Sequence, residues 1–331
     1  MKSTLNGVHA ILLAALILCD EASAEETATP LGTDQPSTSS SNFLDEYHSY
    51  MLNKIKGPTI WFDNFFGDRR TEEDDPPTSF IRLRTAARYT EGEGMTFPIR
   101  LRANLNLPRV NRRLQLVLFG GNREEDRQKE PDDAIDTSLK NGSEEERSNL
   151  GLRYMIYRSL RDRFHFGGGF SLGSPLEYYG RMRYERLLHL GNSNVIRLTE
   201  TGFWNSLIGF GETSRVDLER VMGEQLTGRL SLYATYSEDK EGMQWGAEAN
   251  LFRQLSQTSA LAFDVGTYGL TRPSSRLETY RITARYRNNF LRPWLFLEVQ
   301  PEVTFPLSEA GNGKREAVGI LTTVMEIQFN T

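Results

Sequence analysis

The sequence predicts an all-β fold, a transmembrane antiparallel up-and-down barrel of 14 strands (12 is the alternative count) preceded by a short N-terminal helix. Three observations point there. From Phe80 onward apolar and polar residues alternate with a period of two. In 96–107, for example, Phe97, Ile99, Leu101, Ala103 and Leu105 alternate with Pro98, Arg100, Arg102, Asn104 and Asn106. The alternating segments run to about ten to twelve residues, long for a globular strand but suited to a tilted membrane-spanning one. Finally, the connections sort by length. Those at 108–112, 158–163, 189–193, 223–225, 255–258 and 289–292 are short and fall on one side, whereas the two longest, 121–147 and 306–315, fall on the other.

The elements follow in chain order. Lys2, the apolar run Ala10 to Leu18 and the small-residue triplet Ala22-Ser23-Ala24 read as an export signal over 1–24, so the mature chain is expected to begin near Glu25. A lipoprotein signal ending at Cys19 is the alternative, but Leu18 occupies a place where such signals need a small residue. Cleavage after Ala24 removes the single cysteine, and with it any disulfide, thiolate nucleophile or Cys-based metal site. Residues 25–42, rich in Ser, Thr and Pro, read as a flexible leader. Region 43–79 holds a helix from Phe43 to Lys56 with apolar residues at helical spacing, ended by Gly57-Pro58. A cluster of Ile60, Trp61, Phe62, Phe65 and Phe66 and a charged connector complete it. So many large rings left in water would forfeit several kcal/mol at about 25 cal/mol per Å². The segment is therefore expected at the periplasmic mouth of the barrel or inside it as a cap.

The barrel proper spans 80–331, with strands at 80–89, 96–107, 113–120, 148–157, 164–173, 176–188, 194–204, 211–222, 226–237, 243–254, 259–270, 277–288, 293–305 and 316–329. Its even number returns both termini to one side, as in single-chain bacterial barrels. In the last strand Leu321, Thr323, Met325, Ile327 and Phe329 share a face close to the C-terminus, as in terminal strands recognised by barrel-assembly machinery.

Composition agrees and narrows the function classes. The 331 residues carry 39 basic and 44 acidic side chains, a formal charge of −5 that gives no reason to expect a nucleic-acid partner. Eighteen Phe, 13 Tyr and 4 Trp argue against disorder along the whole length. Only seven basic residues are Lys, all outside the candidate strands, so Arg fills the strands. A planar, permanently charged guanidinium suits interiors crowded with carboxylates.

The stretches Phe65-Phe66-Gly67-Asp68-Arg69, GFGETSRVDLER (209–220), YSEDKEGMQWG (236–246) and RPWLFLEVQPEVTFP (292–306) resemble those of uncharacterised proteobacterial exported proteins with the general look of small, porin-like outer-membrane barrels. The resemblance covers most of 43–329 and implies a Gram-negative source and a place in the cell outer membrane. It carries no activity and no catalytic residues.

No P-loop, HExxH or EF-hand spacing occurs, and neither the His and Ser of outer-membrane phospholipases nor the acidic and His-Asp pattern of omptin-like proteases is found. His165 and His189 read as structural. No catalytic, cofactor or metal residues are assigned. The polar strand faces carry more information. Arg82, Arg84, Arg100, Arg102, Arg181, Arg183, Arg215, Asp217, Glu219, Arg281, Arg285, Arg287, Glu298 and Glu302 are the candidate lumen-lining residues, joined by Arg88, Arg153, Arg229, Glu177, Glu185 and Glu248. Such charges either pair as ladders that fill the interior or line a water-filled, anion-favouring pore. The expectation is a passive or plugged outer-membrane channel with an Arg-rich lumen. The alternatives are a barrel enzyme acting on lipid or lipopolysaccharide and a non-conducting structural or assembly barrel. Expected partners are outer-membrane lipid, lipopolysaccharide and the assembly machinery; the oligomeric state is open.

Overall fold

The structure, a computed structural model, describes residues 61–62, 65–66, 79–107, 113–121, 147–159, 161–172, 175–191, 193–272, 275–308 and 313–330. All belong to the second of the chain's two compact units, His48–Thr331. The expected signal, leader and 43–56 helix lie outside the described residues, as does most of the acidic stretch 121–147.

Fifteen strands form one antiparallel sheet: β1 (Phe80–Thr90), β2 (Gly94–Thr96), β3 (Ile99–Asn106), β4 (Leu114–Gly121), β5 (Arg147–Arg158), β6 (Asp162–Leu172), β7 (Glu177–Leu190), β8 (Asn194–Asn205), β9 (Gly209–Val221), β10 (Leu226–Ser237), β11 (Met243–Gln254), β12 (Ser259–Leu270), β13 (Arg276–Asn289), β14 (Leu295–Pro306) and β15 (Val318–Asn330). Both β2 and β3 pair with β1, because Pro98 interrupts a single stave that the sequence reads as continuous over 96–107. Proline has no N–H to give the ladder, but its carbonyl still accepts from Ala86 N at 2.9 Å, which holds the stave against β1 across the break. The barrel therefore has fourteen staves. Strand β15 pairs with β1 in register from Phe80↔Asn330 to Thr90↔Ile320, and this closes the sheet. Among the described strands closure leaves no free sheet edge, the condition for a sheet to cross hydrocarbon.

The two faces are inverted relative to a water-soluble protein. Outward positions carry exposed apolar side chains, among them Leu232, Phe263, Val265 and Ile282, while inward positions bury charge: Arg287 and Asp217 are 0% exposed and Glu298 2%. Tyr89, Tyr178 and Trp204 lie outward at the end of the barrel away from Phe80 and Asn330, and Trp294 lies at the opposite, turn end, stacked on Phe329 with centroids 6.3 Å apart. Such residues suit the two interfaces of a bilayer. One patch departs from the apolar belt. On β8 and β9 the outward positions include Glu200 and Ser214, register partners whose side chains join as the Ser214 hydroxyl donates to the Glu200 carboxylate at 2.7 Å.

Glycines on the inward face make room for rings lying flat on the wall. Gly151 and Gly169 are cross-strand partners, and Tyr179 sits opposite Gly169 on the next strand. Its ring crosses β6, so a Cβ on Gly151 would come within 2.3 Å of the Tyr179 hydroxyl. Gly151→Ala should therefore destabilise the barrel by about 1–2 kcal/mol, the usual scale for overpacking. In Tyr179→Ala, which removes the ring, the same change should cost much less. Denaturant midpoints of the two single variants and the double variant in detergent test the coupling, and additive costs would argue against it.

Candidate functional site

The charged inward face and the aromatic segment lodged against it form the candidate site. Near the turn end, alternating charges run along the wall. Glu185 accepts from Arg163 at 3.1 Å and Arg197 at 3.4 Å, and Glu219 lies 3.8 Å from Arg197 and 3.0 Å from Arg229. A second set spans β13, β14, β15 and β1. Arg287 donates to Glu298 at 3.2 Å and to Glu326 at 2.7 Å, while Arg84 reaches Glu298 at 3.2 Å and Arg82 lies 3.5 Å from Glu326. Between them Asp264 takes a two-pronged contact from Arg285 at 3.0 and 3.2 Å and a third from the Asn250 amide at 2.7 Å. Higher on the wall Arg281 reaches Glu248 at 3.3 Å, beside a Tyr268 hydroxyl that donates to the same carboxylate at 2.5 Å. Arg215 contacts Asp217 at 3.0 Å, and Glu302 accepts from Thr283 at 3.1 Å. Buried charges compensate the loss of hydration only through several good hydrogen bonds each; Arg287 donates three at 2.7–3.3 Å and Asp264 accepts three at 2.7–3.2 Å.

A buried apolar cluster joins the wall to the aromatic segment. Phe252, Ala260, Ala262 and Phe296 face inward within a few residues of the turns 255–258 and 290–294, and Phe62, Phe65 and Phe66 pack on them with Trp61 alongside. Phe62 lies 5.6 Å from Phe252 between ring centroids, Phe65 lies 5.7 Å from Phe296 edge-on, and Trp61 stacks on Phe65 at 4.7 Å. Guanidinium groups flank the rings, with Arg285 5.0 Å over Phe66, Arg287 4.3 Å over Phe296 and Arg229 5.4 Å over Phe252. Wall and segment thus meet through dispersion plus cation–π attraction. A uniformly polar lumen would be a poor partner for these rings. The wall is not uniform there, so the segment packs inside at the turn end.

Register gives every sequence-predicted candidate an inward position. Arg82, Arg84, Arg100 and Arg102 lie on β1 and β3, Arg181 and Arg183 on β7, Arg215, Asp217 and Glu219 on β9, Arg281, Arg285 and Arg287 on β13, and Glu298 and Glu302 on β14. Arg163, Arg197, Asp264 and Glu326 share that face and were not singled out from the sequence. The charge divides unevenly around the wall. Among the described residues, inward positions of β1 and β3 to β7 hold Arg82, Arg84, Arg88, Arg100, Arg102, Arg153, Arg163, Arg181 and Arg183 against Glu177 and Glu185. From β8 to β15 they hold Arg197, Arg215, Arg229, Arg281, Arg285 and Arg287 against Asp217, Glu219, Glu248, Asp264, Glu298, Glu302 and Glu326. Among the described residues, then, inward Arg outnumbers inward carboxylate on β1 and β3 to β7, and the two are nearly equal on β8 to β15. His165 is buried opposite Arg183, and His189 sits at the turn end of β7. Among the described residues no group of three His, Cys, Asp or Glu is placed to hold a metal ion, and no helix is long and apolar enough to cross a membrane.

A closed sheet with lipid-like residues outside and charge inside has one stable setting. The chain is a closed antiparallel β-barrel whose apolar outer face suits a bilayer. No protein-family model matches the sequence, and no curated protein does. Among solved structures the chain is similar to an anion-selective porin from Comamonas acidovorans (11% identity, 76% of this chain and 99% of that one, TM-score 0.43). It is also similar to the outer membrane channel DcaP of Acinetobacter baumannii (6%, 76% and 96%, 0.45) and to the KdgM porin in complex with disordered oligogalacturonate (6%, 75% and 99%, 0.39).

Proposed function

We propose that the protein is an outer-membrane channel that passes small solutes with a preference for anions, and that the Trp61–Phe66 segment narrows its periplasmic mouth. The observation that carries the reading is the division of charge on the inward face. Among the described residues, the half-wall of β1 and β3 to β7 presents nine guanidinium groups against two carboxylates, and both carboxylates already have neutral or cationic partners: Glu177 accepts from the Asn205 amide at 3.1 Å, and Glu185 accepts from Arg163 and Arg197. A water-filled path along such a wall concentrates anions and repels cations.

Reversal potentials in a potassium chloride gradient test this. Chloride should permeate several-fold better than potassium, and neutralising Arg100 and Arg102 with Gln should shift the reversal potential toward zero. A cation-selective wild type would contradict the proposal. So would a folded barrel that conducts neither ion after removal of residues 25–79.

A further inference from the structure

We infer that the turn end of the barrel is a docking rim for anionic phospholipid, its exposed arginines taking the headgroup phosphates and the apolar side chains beside them the acyl boundary. The inference rests on the outer-membrane channel reading above and goes beyond it, because a barrel can sit in a bilayer without preferring any one lipid.

On β9 the outward row of Val216 and Leu218 ends at Arg220, and on β11 the outward row of Ala249 and Leu251 ends at Arg253. Arg161 lies in the β5–β6 turn and Arg292 in the β13–β14 turn. All four are exposed, and among the described residues none of their side chains has a hydrogen bond or an ion pair. The carboxylates among the described residues at these turns are Asp162, which accepts from the Tyr184 hydroxyl at 2.6 Å and lies 3.8 Å from Arg186, and Glu224. The opposite end differs. Its hairpins β1–β2 and β10–β11 carry Glu91, Glu93, Glu238, Asp239 and Glu241 against Lys240.

The same turns expose apolar side chains that a soluble anion would leave in water. Met222 lies two residues beyond Arg220, Leu255 two beyond Arg253, and Phe290 and Leu291 come just before Arg292; all four are exposed. Leu291 is 78% exposed and is held at φ 61°, a backbone setting that residues other than glycine seldom adopt. Strain that keeps a leucine outside the fold points to a surface that receives it. Guanidinium forks take two oxygens of a phosphodiester, while apolar neighbours on the same turn enter the acyl boundary beneath it. A phospholipid meets both needs, and a soluble polyanion meets only the first. A zwitterionic headgroup brings its own ammonium to the arginines, whereas an anionic one does not, and this selects lipids such as phosphatidylglycerol.

Spin-labelled phosphatidylglycerol and spin-labelled phosphatidylcholine, each a trace in phosphatidylcholine vesicles that hold the full chain, test the rim. The motionally restricted fraction should give phosphatidylglycerol an association constant about threefold or more above that of phosphatidylcholine, and salt at about 1 M should at least halve that preference. R220Q/R253Q/R292Q should abolish most of it. R220K/R253K/R292K keeps the charge without the fork and should fall between the two. Heat-modifiable migration reports folding of each variant, and excess free glycerol phosphate should not displace the labelled lipid. Equal association of the two lipids with an inserted barrel overturns the rim and leaves the channel reading intact. A preference that survives high salt overturns it too, and that result needs no variant to fold. So does a preference unchanged in the folded Gln variant. Displacement by glycerol phosphate would show a site for a soluble phosphate, and the lipid proposal would fall. A chain that enters vesicles in no heat-modifiable form overturns the reading beneath it.

Discussion

Replacing Phe62, Phe65 and Phe66 together by Ala should raise single-channel conductance several-fold while leaving the barrel folded. All three rings are buried, and their partners Phe252, Ala260, Ala262 and Phe296 belong to the wall. Removing one well-packed Phe side chain costs about 3–5 kcal/mol. Three such losses exceed anything the remaining Trp61 contact supplies, since Trp61 is itself only partly buried and stacks on Phe65. The segment should then leave the turn-end mouth. The wall's ladder and ion pairs are untouched, so heat-modifiable migration on gels should persist. A cross-link supplies the converse. Phe62→Cys with Phe252→Cys, whose rings lie 5.6 Å apart, should accept a short bifunctional thiol reagent and hold the low-conductance state. Unchanged conductance in the triple Ala variant, with the barrel intact, would show that the segment does not restrict the path.

The membrane architecture was legible because its outward positions are so consistent. In β10 Leu226, Leu230, Leu232, Ala234 and Tyr236 share one parity, and the strand ends at the residues the alternation suggests, Leu226 and Ser237. The inward set was less complete, for two physical reasons. Strand β8 places apolar Val195 and Phe203 inward alongside Arg197 and Thr199, so its two faces contrast weakly and Arg197 did not stand out. Asp264 and Glu326, by contrast, lie between outward apolar neighbours, Phe263 and Val265 in one case, Met325 and Ile327 in the other. Strict parity would have found both. Parity also fails to foretell pairing, because which carboxylate meets Arg287 depends on the stagger of three strands rather than on any local pattern. The break at Pro98 was open to inspection, since an imino acid inside a ladder removes a donor. The apolar patch under the aromatic segment was harder to see. Ala260 and Ala262 have the same parity as Asp264, and only the rings of Phe62 and Phe66 make that stretch a binding surface.

Arg287→Leu should destabilise the barrel by about 3–5 kcal/mol, the range for removing one partner of a buried ionic network. The Arg287 side chain is fully buried, spans two strands by donating to Glu298 on β14 and Glu326 on β15, and lies 4.3 Å over the Phe296 ring. Leucine fills part of the volume but strands two buried carboxylates, left with Arg84 at 3.2 Å and Arg82 at 3.5 Å. Lysine should recover little, because a compact ammonium does not reproduce a planar fork held by two carboxylates at once. The triple variant R287L/E298Q/E326Q should recover nothing, since it also takes the carboxylate partners from Arg84 and Arg82 on β1. Denaturant midpoints in detergent, read by the gel shift between folded and unfolded forms, order the three variants. If Arg287→Leu cost less than about 1 kcal/mol, the network would be behaving like screened surface pairs. Water would then reach the wall at that depth, and the aromatic segment beside Arg287 would not be sealing the mouth. The same measurement therefore bears on the first prediction. A dry network makes Arg287 a structural link between wall and segment, and the triple Phe variant should then reduce the cost of Arg287→Leu by admitting water to the carboxylates.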